Sequence, residues 1–263
     1  MHDLNLDPQT RALLQNLVAR KRLREAEEQK LQGVAEKLKA SLFDRQLEFF
    51  ESDRRKKLAR CSRRAGKTHL SAVILLCAAI QYPGSLVPYI TLSMKNARRI
   101  LWTTLHQLDV EFGVGLEFRA NDLTATLSNG SSIILAGATD YEEIQKLRGP
   151  KYGAVVLDEV QSMKTSVCRT LVADILEPAT MDYDGTICAF FTPSASASGY
   201  AFDIDHTEDA WQRFHWTMLE NPHLPKAKEW LEERKHENGW NEETPVYRRE
   251  YLGEWIHDTE TLV

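Results

Sequence analysis

An α/β domain with a mostly parallel sheet and helices on both faces is the fold that this sequence predicts. Three observations predict it. Gly66-Lys67-Thr68 stands between a strand-like run, residues 57–61, and an apolar helical run, residues 69–80. Residues 154–157 form a short apolar, β-rich run that suits a strand buried on both faces, and Asp158 and Glu159 stand at its C-terminal end. Around these, strand-like and helix-like segments alternate, the pattern of a sheet with crossover helices.

The elements follow in order. Asp7-Pro8 is a helix start, with Asp as N-cap and Pro at the first helical position. Residues 8–40 then read as a helix rich in Ala, Leu, Arg, Lys and Glu. Leu13, Leu14, Leu17 and Val18 form one apolar stripe and Leu31, Val34, Ala35 and Leu38 another, with Gly33 loosening the join. Residues 86–92 read as a strand and 95–111 as a helix. Residues 116–137 read as antiparallel pieces that turn at Asn129-Gly130. Residues 167–176 form a helix ended by Pro178, and 186–191 a buried strand that leads into Thr192-Pro193-Ser194. After a Ser/Ala/Gly loop come a strand near 214–219 and helices near 226–236 and 246–251. The expected division is an N-terminal helical appendage (1–40), a core (41–199) and a lid or linker subdomain (200–263).

Composition narrows the function. The chain has 263 residues, 43% of them hydrophobic, enough for one large domain with small appendages. No apolar run approaches the roughly 20 residues of a membrane span. The polar, charged N-terminus does not read as a secretory signal. Cys61, Cys77, Cys168 and Cys188 form no C-x-x-C pair, which fits a reduced compartment and no zinc or disulfide framework. The net charge of −5 does not favour a nucleic-acid coat protein. Residues 45–67 nevertheless hold nine basic residues, and Arg54, Arg55, Lys56 and Lys57 either face a polyanion or lie in a solvated loop.

The chemistry lies in two motifs. Gly-Lys-Thr at a strand-to-helix turn is the tail of a phosphate cradle, where backbone N–H groups at a helix N-terminus hold anionic oxygens. Ser62, Arg64, Ala65, Gly66, Lys67 and Thr68 would line it. The full pattern asks for Gly at position 61, where this chain has Cys61. Lys67 can neutralise β- and γ-phosphate charge, and Thr68 and Asp158 can hold Mg²⁺, Asp158 directly or through water. Glu159 can orient and deprotonate an attacking water. Asp203, Asp205 and His206 read as a solvated loop cluster, so no metal is expected there.

Taken together these features resemble the ATPase domain of the large terminases of tailed bacteriophages, over about residues 40–257. The resemblance rests on Phe43-Asp44-Arg45-Gln46, the phosphate loop with Arg63 and no first Gly, residues 92–99 with Trp102, Leu147-Arg148-Gly149, the strand ending in Asp158-Glu159, Thr192-Pro193-Ser194, and residues 221–225 and 250–255. It implies a RecA-like (ASCE) P-loop NTPase fold and a Mg²⁺-dependent ATPase. Its expected action is to drive double-stranded DNA into a procapsid, in the host cytoplasm, as a homo-oligomeric ring with a portal protein and a small terminase subunit. It implies that Gln46 reads adenine, though a helix cap is the alternative. By the same resemblance Arg63 stabilises transition-state charge or forms a local salt bridge, Arg148 is an arginine finger in a neighbouring subunit or fixes the Gly149-Pro150 turn, and Thr192 senses nucleotide state or simply ends its strand. Large terminases usually continue into a nuclease domain. This chain stops soon after Trp255, so an ATPase-only or shortened chain without nuclease activity is expected. Two other readings stand beside this one. A two-lobed helicase needs a second lobe, for which roughly 200 residues of core leave no room. A nucleotide-gated assembly module would bind ATP with little turnover.

Overall fold

The computed structural model describes residues 8–256. Its centre is an eight-stranded sheet in the order β3-β4-β5-β2-β6-β7-β1-β8. The strands are β1 (Lys56–Cys61), β2 (Leu86–Thr91), β3 (Glu117–Arg119), β4 (Thr124–Thr126), β5 (Ser132–Gly137), β6 (Ala154–Asp158), β7 (Thr186–Phe191) and β8 (Gln212–Trp216). From β5 to β8 all neighbours are parallel, whereas β3, β4 and β5 form an antiparallel edge. The turn between β4 and β5 is at Asn129-Gly130 as expected. Gly130 takes φ 84° there, and Asn129 Nδ2 donates to the Ala79 carbonyl at 2.9 Å. β7 separates β1 from β6, so all three strand tips open on one edge of the sheet.

Alternation along each buried strand divides the core in two. Val156 and Phe190 face a cluster with Leu70, Val73 and Leu101, which covers one side of the sheet. Val155, Leu157, Ala189 and Phe191 face Leu171, Ile175, Tyr200 and Trp211 on the other. The first side is covered by α3 (Lys67–Gln81), α5 (Thr103–Phe112), α2 (Asp44–Glu51) and the end of α1 (Pro8–Ala40). Helix α4 (Met94–Ala97) runs into α5 through a π-helical turn, Arg98–Trp102. The short helix α6 (Tyr141–Gln145) lies between β5 and β6 in the chain. No helix among the described residues is long and apolar enough to cross a membrane.

Several expectations change. Helix α1 runs unbroken through Gly33, and only its second stripe is buried: Leu31, Val34 and Leu38 enter the core, while Leu13, Leu14, Leu17 and Val18 are exposed. A cut at residue 40 therefore divides a helix end from the core it packs on. The Asp7 cap lies outside the described residues. Pro178 does not end its helix. After α7 (Thr165–Thr170) a π-helical turn, Leu171–Leu176, widens the helix, and Pro178 falls in the first turn of α8 (Glu177–Thr180), where a missing N–H is tolerated. Residues 200–206 form helix α9 (Tyr200–His206), packed in the second core cluster, and β8 pairs with β1. The sheet thus continues past residue 199. A separate small core of Met218, Ala227, Leu231 and Tyr247 holds together the 218–252 region, including α10 (Ala227–Asn238) and α11 (Pro245–Leu252).

Of the basic run Arg54–Lys57, which overlaps the start of β1, Arg54 and Arg55 are exposed and Lys57 alone is buried. Lys57 is 3% exposed, and its amine donates to the carbonyls of Phe49, Phe50 and Ser52, capping the end of α2. Lys56 pairs with Glu177 and Arg55 with Asp184. Asp203, Asp205 and His206 lie on α9 rather than in a loop. Asp203 pairs with Arg169 and Asp205 with Arg60, and the described residues hold no cluster of three metal-ligating side chains.

Candidate nucleotide site

The turn between β1 and α3 accounts for the absent glycine. Cys61 is the last residue of β1, fully buried, and burial pushes its thiol up to about 12. Its backbone is extended, so nothing at this position requires glycine. The reversal comes later, at Arg64 (φ 62°) and Gly66 (φ 83°). At Gly66 an added Cβ would also lie 2.6 Å from Gln46 Nε2, so that side chain would have to move and give up its bond to the loop. Helix α3 starts at the next residue with its N-terminal amides toward the loop.

Neighbours hold the loop from two sides. From α2, the 2% exposed Gln46 donates Nε2 to the Gly66 carbonyl at 2.9 Å and accepts the Phe43 N–H at 3.3 Å. From the C-terminal region, Trp216 Nε1 donates to the Ala65 carbonyl (2.8 Å), Asn221 Nδ2 to the Arg64 carbonyl (3.0 Å) and the Met218 N–H to Ser62 Oγ (2.8 Å). The Arg63 N–H donates to the Glu250 carbonyl at 2.8 Å, and its guanidinium pairs with the Glu250 carboxylate. Gly253 packs closely on the Cys61–Ser62 peptide, where a Cβ would come within 3.2 Å.

A cavity of about 970 Å³ opens above the loop. Arg63, Arg64, Lys67, Arg99 and Arg249 line it against Glu159 and Glu250, so cations predominate. Ala65, Gly66, Thr68, Gln161, Thr192 and Asn221 also border it. Lys67 Nζ donates to Thr192 Oγ1 at 2.9 Å and to the Ser62 carbonyl at 3.0 Å, joining the tips of β1 and β7. Glu159 faces the cavity from a left-handed backbone, φ 56°, and its carboxylate accepts Gln161 Nε2 at 2.6 Å. A non-glycine residue held there costs on the order of 1–3 kcal/mol and occurs at functional sites.

Asp158 sits one step deeper, 2% exposed. One of its oxygens accepts the Tyr89 hydroxyl at 2.5 Å and the other the Glu159 N–H at 2.9 Å. Burial, and then the neighbouring Glu159 charge, raise its pKa to about 6. The donor set fits Mg²⁺, since the Thr68 hydroxyl and the Asp158 carboxylate are both hard oxygens.

Gln46 and Arg148 do not border the cavity of their own chain. Gln46 lies behind the loop, where its Oε1 caps α2 through the Phe43 N–H and its Nε2 holds the Gly66 carbonyl. Arg148 is exposed and outside the cavity, donating to Gln145 Oε1 (3.0 Å) and the Asp174 carbonyl (3.2 Å). Residues that motif reading did not assign also build the site. Arg99, Asn221 and Glu250 fell inside segments that carried the resemblance, without a role. Tyr89, Gln161 and Arg249 gave no signal, because only folding brings them to the acids and the loop.

Comparisons with known proteins agree with this fold. No curated protein sequence matches the chain. The large terminase of a thermophilic bacteriophage shares the fold, with 21% identity and a TM-score of 0.66 over 81% of this chain and 53% of that one. The Thermus phage P74-26 large terminase ATPase domain, in a mutant form, aligns at 19% identity and TM-score 0.61 over 82% of this chain and 95% of that one. The bacteriophage HK97 large terminase aligns at 14% identity and TM-score 0.61, covering 81% and 50% respectively. The chain thus spans about half the length of the first and the third of these proteins. The family model for the N-terminal part of the T4-like-virus-type terminase large subunit matches residues 59–262. With a phosphate loop, an acidic strand tip and this sheet order in one matched region, the chain belongs to the terminase large subunit family.

Proposed function

We propose that this chain is an ATP-hydrolysing motor domain that drives double-stranded viral DNA into a procapsid. One observation carries the reading: the phosphate loop, Glu159 and Thr192 meet at one cation-rich cavity at the ends of parallel strands, where open α/β sheets bind ligands. Structures of the thermophilic bacteriophage large terminase in complex with ADP and with ATP-gamma-S support the choice of ligand.

In this reading the amides of residues 64–68 and Lys67 hold the phosphates. Arg63 lies on the same wall and supplies charge as it develops on the transferred phosphoryl group. Thr68 and Asp158 would hold Mg²⁺, which when bound neutralises phosphate charge. Glu159 orients the attacking water and accepts its proton. Thr192, on Lys67, is the coupling residue. Arg148, outside its own subunit's cavity, fits a role on a neighbour's nucleotide in a homo-oligomeric ring. The DNA contacts fall mainly on phosphates, since a motor must pass every sequence. By analogy with the family, its proposed partners are a portal protein and a small terminase subunit, and its proposed setting is transient work on procapsids in the host cytoplasm.

A steady-state ATPase assay with and without linear duplex DNA tests this. Turnover that requires Mg²⁺ and rises with DNA is expected. Tight ATP binding with no turnover in either condition would replace the motor by a nucleotide-gated assembly module.

A further inference from the structure

We infer that Glu250, on α11, is a positioning residue that competes with bound phosphate for Arg63 and so ties α11 to the occupancy of the loop. Glu250 borders the cavity on the wall shared with Arg63 and Arg249. One of its carboxylate oxygens pairs with Arg63 Nε, and the other accepts Arg249 Nε at 3.3 Å. A carboxylate between two guanidiniums is arranged as a phosphate would be. A phosphate oxygen that bonds Arg63 must share or displace Glu250, and in either case brings negative charge toward that carboxylate.

The contact acts on more than a side chain. The Arg63 N–H is bonded to the Glu250 carbonyl, His215 Nε2 lies 2.9 Å from the Leu252 carbonyl, and Gly253 abuts Ser62. Helix α11 is therefore fixed to the loop at its main chain and switchable at one ion pair. A ligand shifts such an arrangement only by its differential interaction with the two states, and the Arg63–Glu250 pair provides that difference.

The inference rests on the ATPase reading, and one set of measurements separates the two. Binding of a fluorescent, hydrolysis-resistant ATP analogue is measured for the parent chain, Glu250→Gln, Arg63→Ala and the double variant, with thermal unfolding as the folding check. Glu250→Gln is expected to tighten binding about fivefold or more, the lower range of a coupling free energy. In the Arg63→Ala background the same change is expected to alter affinity less than about twofold, because the competition has lost its object. Glu250→Asp, which keeps the charge but shortens the reach, serves if the Gln variant folds poorly and should also tighten binding. Unchanged or weakened affinity in folded Glu250→Gln overturns the inference alone, as does equal tightening in both backgrounds. Absence of binding by the parent chain overturns the ATPase reading and the inference with it.

Discussion

Lys67 Nζ and Thr192 Oγ1 lie 2.9 Å apart, bridging the end of β1 to the end of β7. The strand order makes this contact, since β7 lies between the strand of the phosphate loop and the strand of the acids. The ammonium proposed to take phosphate charge thus touches Thr192, which follows the strand next to that of Glu159, and two parts of the site share one hydrogen bond.

Thr192→Val keeps the shape and removes that acceptor. Nucleotide affinity should stay within about threefold while kcat falls about tenfold, the effect of one charge-assisted bond of ~1.5 kcal/mol. Parallel titration with a fluorescent nucleotide and a phosphate-release assay check this; an unchanged kcat would remove Thr192 from the coupling role.

Glu159→Gln should leave nucleotide binding intact and lower kcat by about 10²–10⁴, as expected when a general base is lost. Single-turnover hydrolysis is the measurement, and near-parental turnover would mean that another group activates the water.

Asp158→Asn should stabilise the protein when no Mg²⁺ or nucleotide is added. Burial raises the folded pKa of Asp158 from 3.8 to about 6, so the folded chain holds that proton more tightly than the unfolded chain. Stability is therefore lost as pH rises from about 4 to about 6 and stays lost above, by up to ~3 kcal/mol. The Asn variant should melt above the parent at pH 8, with the gap closing by pH 4, and should hydrolyse no ATP. Identical melting temperatures at pH 8 would show that the carboxylate carries no such penalty.

Gln46→Ala removes the acceptor of the Phe43 N–H and one of two donors to the Gly66 carbonyl, which keeps the Leu70 N–H, a loss of about 1–3 kcal/mol in urea denaturation. Nucleotides should bind more weakly, with the ratio of ATP to GTP affinity unchanged. A collapse of that ratio would return Gln46 to reading the base.

Arg148→Ala subunits mixed with Lys67→Ala subunits test action across a subunit boundary. If assembled oligomers regain ATPase activity, the arginine of one subunit serves the nucleotide of the next. No recovery in confirmed oligomers would leave Arg148 fixing its local turn through Gln145 and Asp174.

What could be read in the chain was what is local in it. Gly66-Lys67-Thr68 and Asp158-Glu159 each lie within a few residues of the strands that aim them, so their meeting at one sheet edge and the sheet class could be read from spacing. Lys57 shows the limit: in sequence it belongs to a basic run, but its strand points it inward onto the end of α2. Gln46 is similar, because only the tertiary approach of α2 to Gly66 ties its amide to the loop. Pro178 misled because a π-helical turn ahead of it let the helix resume. Glu250, nearly two hundred residues from its partner Arg63, could be assigned only once β8 had joined the sheet beside β1.

That distance bears on how the protein is made. The outer bonds of the phosphate loop come from Trp216, Met218, Asn221 and Glu250, so the loop acquires its shape only after nearly all of the described chain has left the ribosome. β1 is synthesised first among the strands, yet both of its partners, β7 and β8, are synthesised last. Long-range pairings of this kind form slowly. Nucleotide binding should therefore mature at the end of biosynthesis, and nascent or nicked chains should retain much of the sheet while lacking a competent ATP pocket.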